Sequence, residues 1–514
     1  MKLVKKNVPP GLEILHSCYG GKRFSYNWYK GSVLFLTFLC YMGYHAARKP
    51  PSIVKSVLRG SPPVVTKGRS LLADGGLAIS ATDPTTLNGW YPFNGDNGQT
   101  LLGQIDLAFL GTYAIGMFFA GHLGDRLDLR WFLTVGMVGS GIFTSLFGMG
   151  YFWDTHMFTY YILVSIAAGL FQSTGWPSVV SIVANWSGKG KRGLIMGIWN
   201  AHTSVGNILG TVIAAAMLAE GWGYSFIVPG FLMIALGVLI WAGLVVQPSD
   251  VGHINPDDKS GRPNYEEELV PLGGVSGSKG EAAMERKDSS ARREEVESIH
   301  FMDAWRIPGV ASFAFCLFFS KLIAYTFLYW LPYYIKSTPI EGRKLDAKEA
   351  GDLSVLFDVG GVAGGVLAGH LSDKSGASAS VATAFTLLSV PCLYLYRTVG
   401  HTSFALNVAL MMASGFFVNG PYALITTAVS ADLGTHDSLQ GNAKALATVS
   451  AIIDGMGSLG AALGPMMTGF ISDRGGFDMV FMMLYASAVT AGALLVKLVA
   501  KELQLMSTRG AKPI

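Results

Sequence analysis

The sequence predicts an all-α polytopic membrane protein, twelve transmembrane helices in two pseudo-symmetric six-helix bundles. Three observations predict it. Half of the 514 residues are hydrophobic and only 14% are charged, and the mean hydropathy is +0.40, outside the balance of a soluble domain. Twelve apolar runs, each about twenty residues long, are the length that crosses a bilayer. One motif is written twice, Ala120-Gly-His-Leu-Gly-Asp-Arg126 and Ala368-Gly-His-Leu-Ser-Asp-Lys374, about half a chain apart. A repeat at that spacing is how two rocking bundles arise by duplication.

The elements follow in order. Residues 1–27 are polar and basic, with Lys2, Lys5, Lys6, Lys22 and Arg23, and form a cytosolic N-terminal segment ahead of a first span that serves as its own targeting signal. Spans are expected at 28–48, 104–123, 131–150, 158–183, 193–218 and 224–246, then at 310–335, 350–371, 379–397, 403–430, 443–470 and 477–500. The first bundle is 28–247, with an extracytosolic loop at 52–100. Residues 248–305 form a cytosolic linker rich in Gly, Ser, Lys, Glu and Arg, 306–502 form the second bundle, and 503–514 form a cytosolic tail. Arg126, Arg130, Lys189, Lys191 and Arg192 follow the even-numbered spans, whereas 150–157 and 218–224 carry no Lys or Arg, so both termini face the cytosol. The endoplasmic reticulum and the plasma membrane fit equally well.

The repeat goes further than the opening motif. Gly169-Leu-Phe171 is echoed by Gly415-Phe-Phe417, and Val205-Gly-Asn-Ile-Leu-Gly210 by Leu459-Gly-Ala-Ala-Leu-Gly464. The 64 glycines are helix-packing residues first. Cys40, Cys316 and Cys392 lie inside apolar runs without ligand spacing, so neither a disulfide framework nor a metal site is expected. A net charge of +4 does not suggest nucleic acid, and no cofactor motif or nucleophile motif of an enzyme appears in a supporting context.

Charges inside the spans carry the chemistry. Lys321 lies about ten residues from either end of its span, near the bilayer midplane, where a charge costs roughly 2.5–3.5 kcal/mol even on lenient scales. It either forms a structural ion pair with Asp358 or Asp454, or faces a wet cavity and an anionic solute. Arg48 is either a helix-end anchor or the end of a polar stripe, since Tyr41, Tyr44, His45 and Arg48 share one helix face and the helix can continue past Pro50 and Pro51. The guanidinium fork suits phosphate oxygens. Trp176 is packing or cavity lining. Asp358, Asp454 and His202 are candidates for charge balance or proton coupling. Asp125, Arg126, Arg130, Asp373 and Lys374 sit at cytosolic helix ends and are assigned to gating.

The paired Gly-x-Leu-x-Asp-Arg/Lys motifs resemble the loop motif of the major facilitator superfamily. Arg48-Lys49, Gly175-Trp-Pro177, Lys191-Arg-Gly-Leu-Ile-Met-Gly-Ile-Trp-Asn-Ala-His202 and Tyr329-Trp-Leu-Pro332 narrow the resemblance to the organophosphate:phosphate antiporters, near the plant glycerol-3-phosphate transporter group and the eukaryotic sugar-phosphate exchangers. The resemblance implies exchange of an organic phosphate, glycerol-3-phosphate or a sugar phosphate, for inorganic phosphate, bound between two basic residues in the lipid bilayer. Arg48 falls on the family's first-helix phosphate-binding Arg. The bacterial seventh-helix Arg falls on Ala324, one turn from Lys321. The bacterial His falls on Thr203 rather than His202, and a bacterial second-helix Lys is replaced by apolar sequence around Met117. Two rival readings stand beside exchange: a proton-coupled carrier of an uncharged nutrient using Asp358 or Asp454, and a non-transporting receptor on the same fold.

Overall fold

The computed structural model describes residues 7–20, 24–60, 89–124, 126–186, 199, 201–253, 301–429, 433 and 443–510. Helix α1 (Pro10–Cys18) precedes the first bundle, whose helices are α2 (Tyr26–Ala47), α3 (Pro50–Arg59), α4 (Gly98–Gly124), α5 (Leu129–Phe152), α6 (Phe158–Gln172), α7 (Gly175–Trp186), α8 (His202–Met217) and α9 (Tyr224–Gly243). The second bundle holds α10 (Val310–Ser337), α11 (Ala347–Ser375), α12 (Ser378–Val399), α13 (Phe404–Leu424) and α14 (Ala443–Gly510). Among the described residues, ten helices are long and apolar enough to cross a bilayer. The last of these is broken at Gly476, whose φ of 65° no L-residue adopts easily, and so makes two spans. The α2–α3 pair completes the set of twelve.

Two spans of the first bundle are broken within their length, for local reasons. Pro50 and Pro51 have no N–H to give, so they start α3 as its first residues instead of continuing α2. Arg48 is thereby the C-cap of α2, at a junction of two half-helices. The fourth span breaks at Ser173 and Thr174, leaving Gln172 as the last residue of α6. These two breaks meet, because the Arg48 Nε donates to Gln172 Oε1 at 2.5 Å. Discontinuous helices at membrane depth are tolerated where they border a cavity.

The repeated glycine strings have one physical cause. A Cβ on Gly206 or Gly210 would stand 2.4 Å from the carbonyl oxygens of Met42 and Ala46, and one on the matching Gly460 or Gly464 would stand 2.0 or 2.5 Å from those of Phe318 and Leu322. A Cβ on Gly169 would stand 2.3 Å from Phe109 O, and one on its counterpart Gly415 2.0 Å from Phe357 O. Each bundle is thus held by the same backbone-on-backbone contacts, without the hydrophobic drive that water supplies. Gly415→Ala and Gly460→Ala are each expected to lower the thermal midpoint in detergent by several degrees, whereas Gly369→Ala, with open space around it, leaves the midpoint unchanged or higher.

The two halves are joined at one end and packed separately at the other. A single hydrophobic cluster containing Leu58, Phe93, Leu102, Tyr161, Trp330, Tyr333 and Phe481 runs across both halves at the end that carries residues 89–97. Two further clusters each stay within one half, one from Leu12 to Val251 and one from Ala304 to Leu495. Polar contacts reinforce the joined end: Asp473 accepts from the Thr100 N–H and hydroxyl at 2.7 and 2.6 Å, and Lys336 Nζ donates to Ser56 O at 3.2 Å. Gly469 approaches Gln99 O so closely that a Cβ would stand 2.3 Å away.

Several boundaries differ from the sequence expectation. The first span runs on through α3 to Arg59, so helix occupies the start of the expected 52–100 loop, and 61–88 of that loop lie outside the described residues. Within the expected linker, Pro248–Val251 is a 3-10 turn buried against Trp186 and Tyr29 of the first bundle, while 254–300 lie outside the described residues. The C-terminal helix continues to Gly510 through most of the expected tail. Residues 193–198 and Asp125 also lie outside the described residues.

Candidate substrate site

A cavity of about 830 Å³ lies between the halves. From the first half it is lined by Tyr41, His45, Arg48, Tyr113, Trp176, Thr203 and Asn207, and from the second by Lys321, Tyr325, Asp358, Asn419, Tyr422, Asp454 and Ser458. The α2 stripe therefore turns Tyr41, His45 and Arg48 into one space with Lys321. Asn207 holds His45 through Oδ1 and Nδ1 at 3.2 Å, and the Trp176 and Tyr41 rings lie 5.1 Å apart.

The charges are distributed unevenly. Lys321 donates to Asp454 at 2.7 Å, with its ammonium 5.3 Å from the centre of the Tyr422 ring. Lys49 pairs across the halves with Asp358 at 3.6 Å and donates to Leu328 O at 3.4 Å. Lys55 and Asp106 form a third pair at 2.8 Å, both 1% exposed. Arg48 differs from these lysines: among the described residues no carboxylate lies within 4.0 Å of it. Its neighbours are the Gln172 amide oxygen and the face of Tyr113, 4.4 Å from the guanidinium carbon. Its Nη2 makes no hydrogen bond to any described residue. Gln172 and the ring offset only part of the cost of burying a cation, a cation–π contact contributing about 0.5–2 kcal/mol. An anion entering the cavity meets an arginine whose fork is already oriented and still short of partners.

Two expected site residues do not line this cavity. Tyr44 lies about 60° around α2 from Tyr41, where α7 already packs; its hydroxyl is 3.3 Å from Thr174 Oγ1. His202 is fully buried in an aromatic cage, 4.3 Å from the Trp199 ring and 4.7 Å from Tyr41, while its neighbour Thr203 lines the cavity. The 100° between successive helical residues separates the two. Of the helix-end motif residues, Arg126, Asp373 and Lys374 are exposed. Arg130 is buried and donates to the Asn7 carbonyl and side chain at 3.2 and 2.6 Å, which ties the N-terminal segment to the start of α5.

Sequence reasoning missed the tyrosines and amides. Tyr325 is one turn beyond Lys321 and Asn207 one turn beyond Thr203, a spacing that could have found them. Tyr113 is one turn before Met117 on the second span. Gln172, Asn419 and Tyr422 had no local signal, because their relevance comes from helix breaks and packing between spans.

The sequence profile of the Major Facilitator Superfamily matches residues 75–339 and 338–511. The chain belongs to the major facilitator superfamily. Within it, the chain is 53% identical over 496 residues to "Putative glycerol-3-phosphate transporter 1" of Arabidopsis thaliana, covering 96% of this chain and 92% of the relative. It is 50% identical over 482 residues to the glucose-6-phosphate exchanger SLC37A2 of Xenopus tropicalis, covering 93% and 94%. A solved bacterial homologue of the human lysosomal transporter Spinster, inward-facing and unoccupied, matches with a TM-score of 0.55 and 14% identity over 92% of this chain and 96% of that one. Such a likeness speaks to the superfamily fold alone, and that fold, an integral multi-pass helical bundle pair, is the one described above.

Proposed function

We propose that this superfamily member is a secondary transporter, not an enzyme, that exchanges a phosphorylated small metabolite for inorganic phosphate by alternating access. The observation that carries the reading is Arg48, a buried cation facing the inter-bundle cavity with no carboxylate partner among the described residues. Relatives of about 50% identity named for glycerol-3-phosphate and glucose-6-phosphate support the substrate class. In this reading Arg48 takes two phosphate oxygens through its fork, and Lys321, which gives Asp454 only one of its three donors, reaches the same group from the other bundle. Tyr41, His45 and Trp176 shape the rest of the chamber.

Exchange follows from charge. Counting Arg48, Lys49 and Lys321 against Asp358 and Asp454 leaves one positive charge around the empty chamber. Closing low-dielectric surroundings over that charge is unfavourable, and a bound phosphate, carrying about −1.5 to −2 as an ester, removes the obstacle. The loaded carrier reorients and the empty one resists. With both termini cytosolic, the joined end at 89–97 is the extracytosolic gate, and Thr100, Asp473, Lys336 and Ser56 are the contacts that part when it opens. Arg126, Arg130, Asp373 and Lys374 act at the opposite gate. The proton-coupled alternative is weaker because both acids lining the chamber, Asp358 and Asp454, are in ion pairs.

The test is counterflow in liposomes holding the purified protein. Internal phosphate is expected to accelerate uptake of labelled phosphate and of glycerol-3-phosphate at least tenfold over empty vesicles. Uptake driven by a pH gradient and indifferent to internal phosphate would overturn the exchange reading.

A further inference from the structure

Behind Arg48, walled mainly by the first bundle and closed by Tyr329 of the second, lies a second cavity of about 400 Å³. Its walls are mostly apolar and aromatic, including Phe109, Phe143, Phe147 and Phe226, yet Arg48, Asp106 and Tyr329 also face it. Each of these three carries a buried polar atom that makes no hydrogen bond to any described residue: Arg48 Nη2, Asp106 Oδ2 and the Tyr329 hydroxyl. The other Asp106 oxygen is taken by Lys55, and the Trp330 indole faces the same carboxylate without completing a hydrogen bond. A donor, an acceptor and a hydroxyl left unpaired around one space are costly together, since buried polar groups are normally satisfied. Arg48 repels a cation from that space and Asp106 repels an anion. A small neutral molecule with both donors and acceptors fits, and water, which needs about two to four polar partners, finds three here.

We propose that water in this second cavity bridges Arg48 Nη2, Asp106 Oδ2 and the Tyr329 hydroxyl, making Asp106 the positioning residue of Arg48. The inference rests on the reading of Arg48 as the phosphate contact. In the empty carrier, Asp106 is a remote counter-charge that holds the guanidinium toward the wall. Phosphate in the main chamber competes with it for the same side chain. Because Tyr329 belongs to the second half, the bridge also links occupancy of the chamber to the joined end, where Tyr329 and Trp330 lie over Lys55 at 5.1 and 5.0 Å.

Removing the counter-charge without stranding its partner is the experiment. In the double variant Lys55→Met with Asp106→Asn, the binding constant for labelled inorganic phosphate, measured on purified protein, is expected to tighten about fivefold while the maximal exchange rate falls. Thr144→Leu, which fills the cavity from α5 and expels the water, is expected to tighten phosphate binding two- to threefold. Damage to the fold alone would weaken binding, so tightening distinguishes positioning from structure. Phosphate binding unchanged or weakened in both variants, with Arg48→Ala binding none, would overturn the bridge and leave the phosphate reading standing. Wild-type phosphate binding by Arg48→Ala would overturn that reading and the bridge with it.

Discussion

Arg48→Ala is expected to abolish phosphate counterflow while the protein still folds and inserts. No carboxylate contacts the side chain directly, and Asp106 keeps Lys55 as its partner when the arginine is removed, so no bare countercharge is left behind. What is lost is a charge-assisted, two-pronged contact to the solute, and truncating such a partner costs about 2–5 kcal/mol. That is roughly a 30- to several-thousandfold weaker phosphate affinity. Arg48→Lys keeps the charge but loses the fork and the Gln172 contact made through Nε, so it should recover only a small part of the activity. Labelled-phosphate binding and counterflow on the same preparations measure both effects. Wild-type exchange by Arg48→Ala would remove the arginine from the site.

Lys321 should behave differently, because it has a partner. Lys321→Met alone leaves Asp454 facing the chamber without its 2.7 Å donor, and breaking a buried pair costs about 3–5 kcal/mol. Poor expression and loss of exchange are expected together. Adding Asp454→Leu removes the stranded charge, and replacing both members of a buried pair by apolar groups is often neutral or stabilising. The double variant should therefore regain a thermal midpoint near that of the wild type. Its exchange rate should stay about tenfold low, since the second cation facing the solute is still missing. A double variant as unstable as either single one would show that the pair does more than balance charge.

The contrast between these two residues marks what the sequence could tell. Apolar run length and a motif written twice were enough for the bundle architecture, because a bilayer requires spans of a set length and duplication leaves matched strings. The glycine echoes were legible as strings, and their cause, helix backbones in contact at Gly206, Gly415 and Gly460, needed coordinates. Lys321 was visible as a midplane charge. Whether it was paired could not be read locally, because Asp454 lies on another helix far along the chain. Asp358 was named as a possible partner for Lys321 and instead pairs with Lys49, across the two halves. Tyr44 and His202 failed to reach the cavity for one geometric reason: a stripe of polar residues is wider than the opening it borders, and one residue's rotation moves a side chain into a neighbouring helix. The junctions at Arg48 and at Gln172 depend on where half-helices stop, which Pro50 and Pro51 foreshadow for the first and no residue signals for the second.

The most direct measurement is an experimental structure of the protein in lipid with inorganic phosphate or glycerol-3-phosphate at saturating concentration. Phosphate density is expected in the chamber between α2 and α10, with two oxygens on the Arg48 guanidinium and Lys321 within reach. Solute density elsewhere, with Arg48 turned away from it, would rule out Arg48 as the phosphate contact.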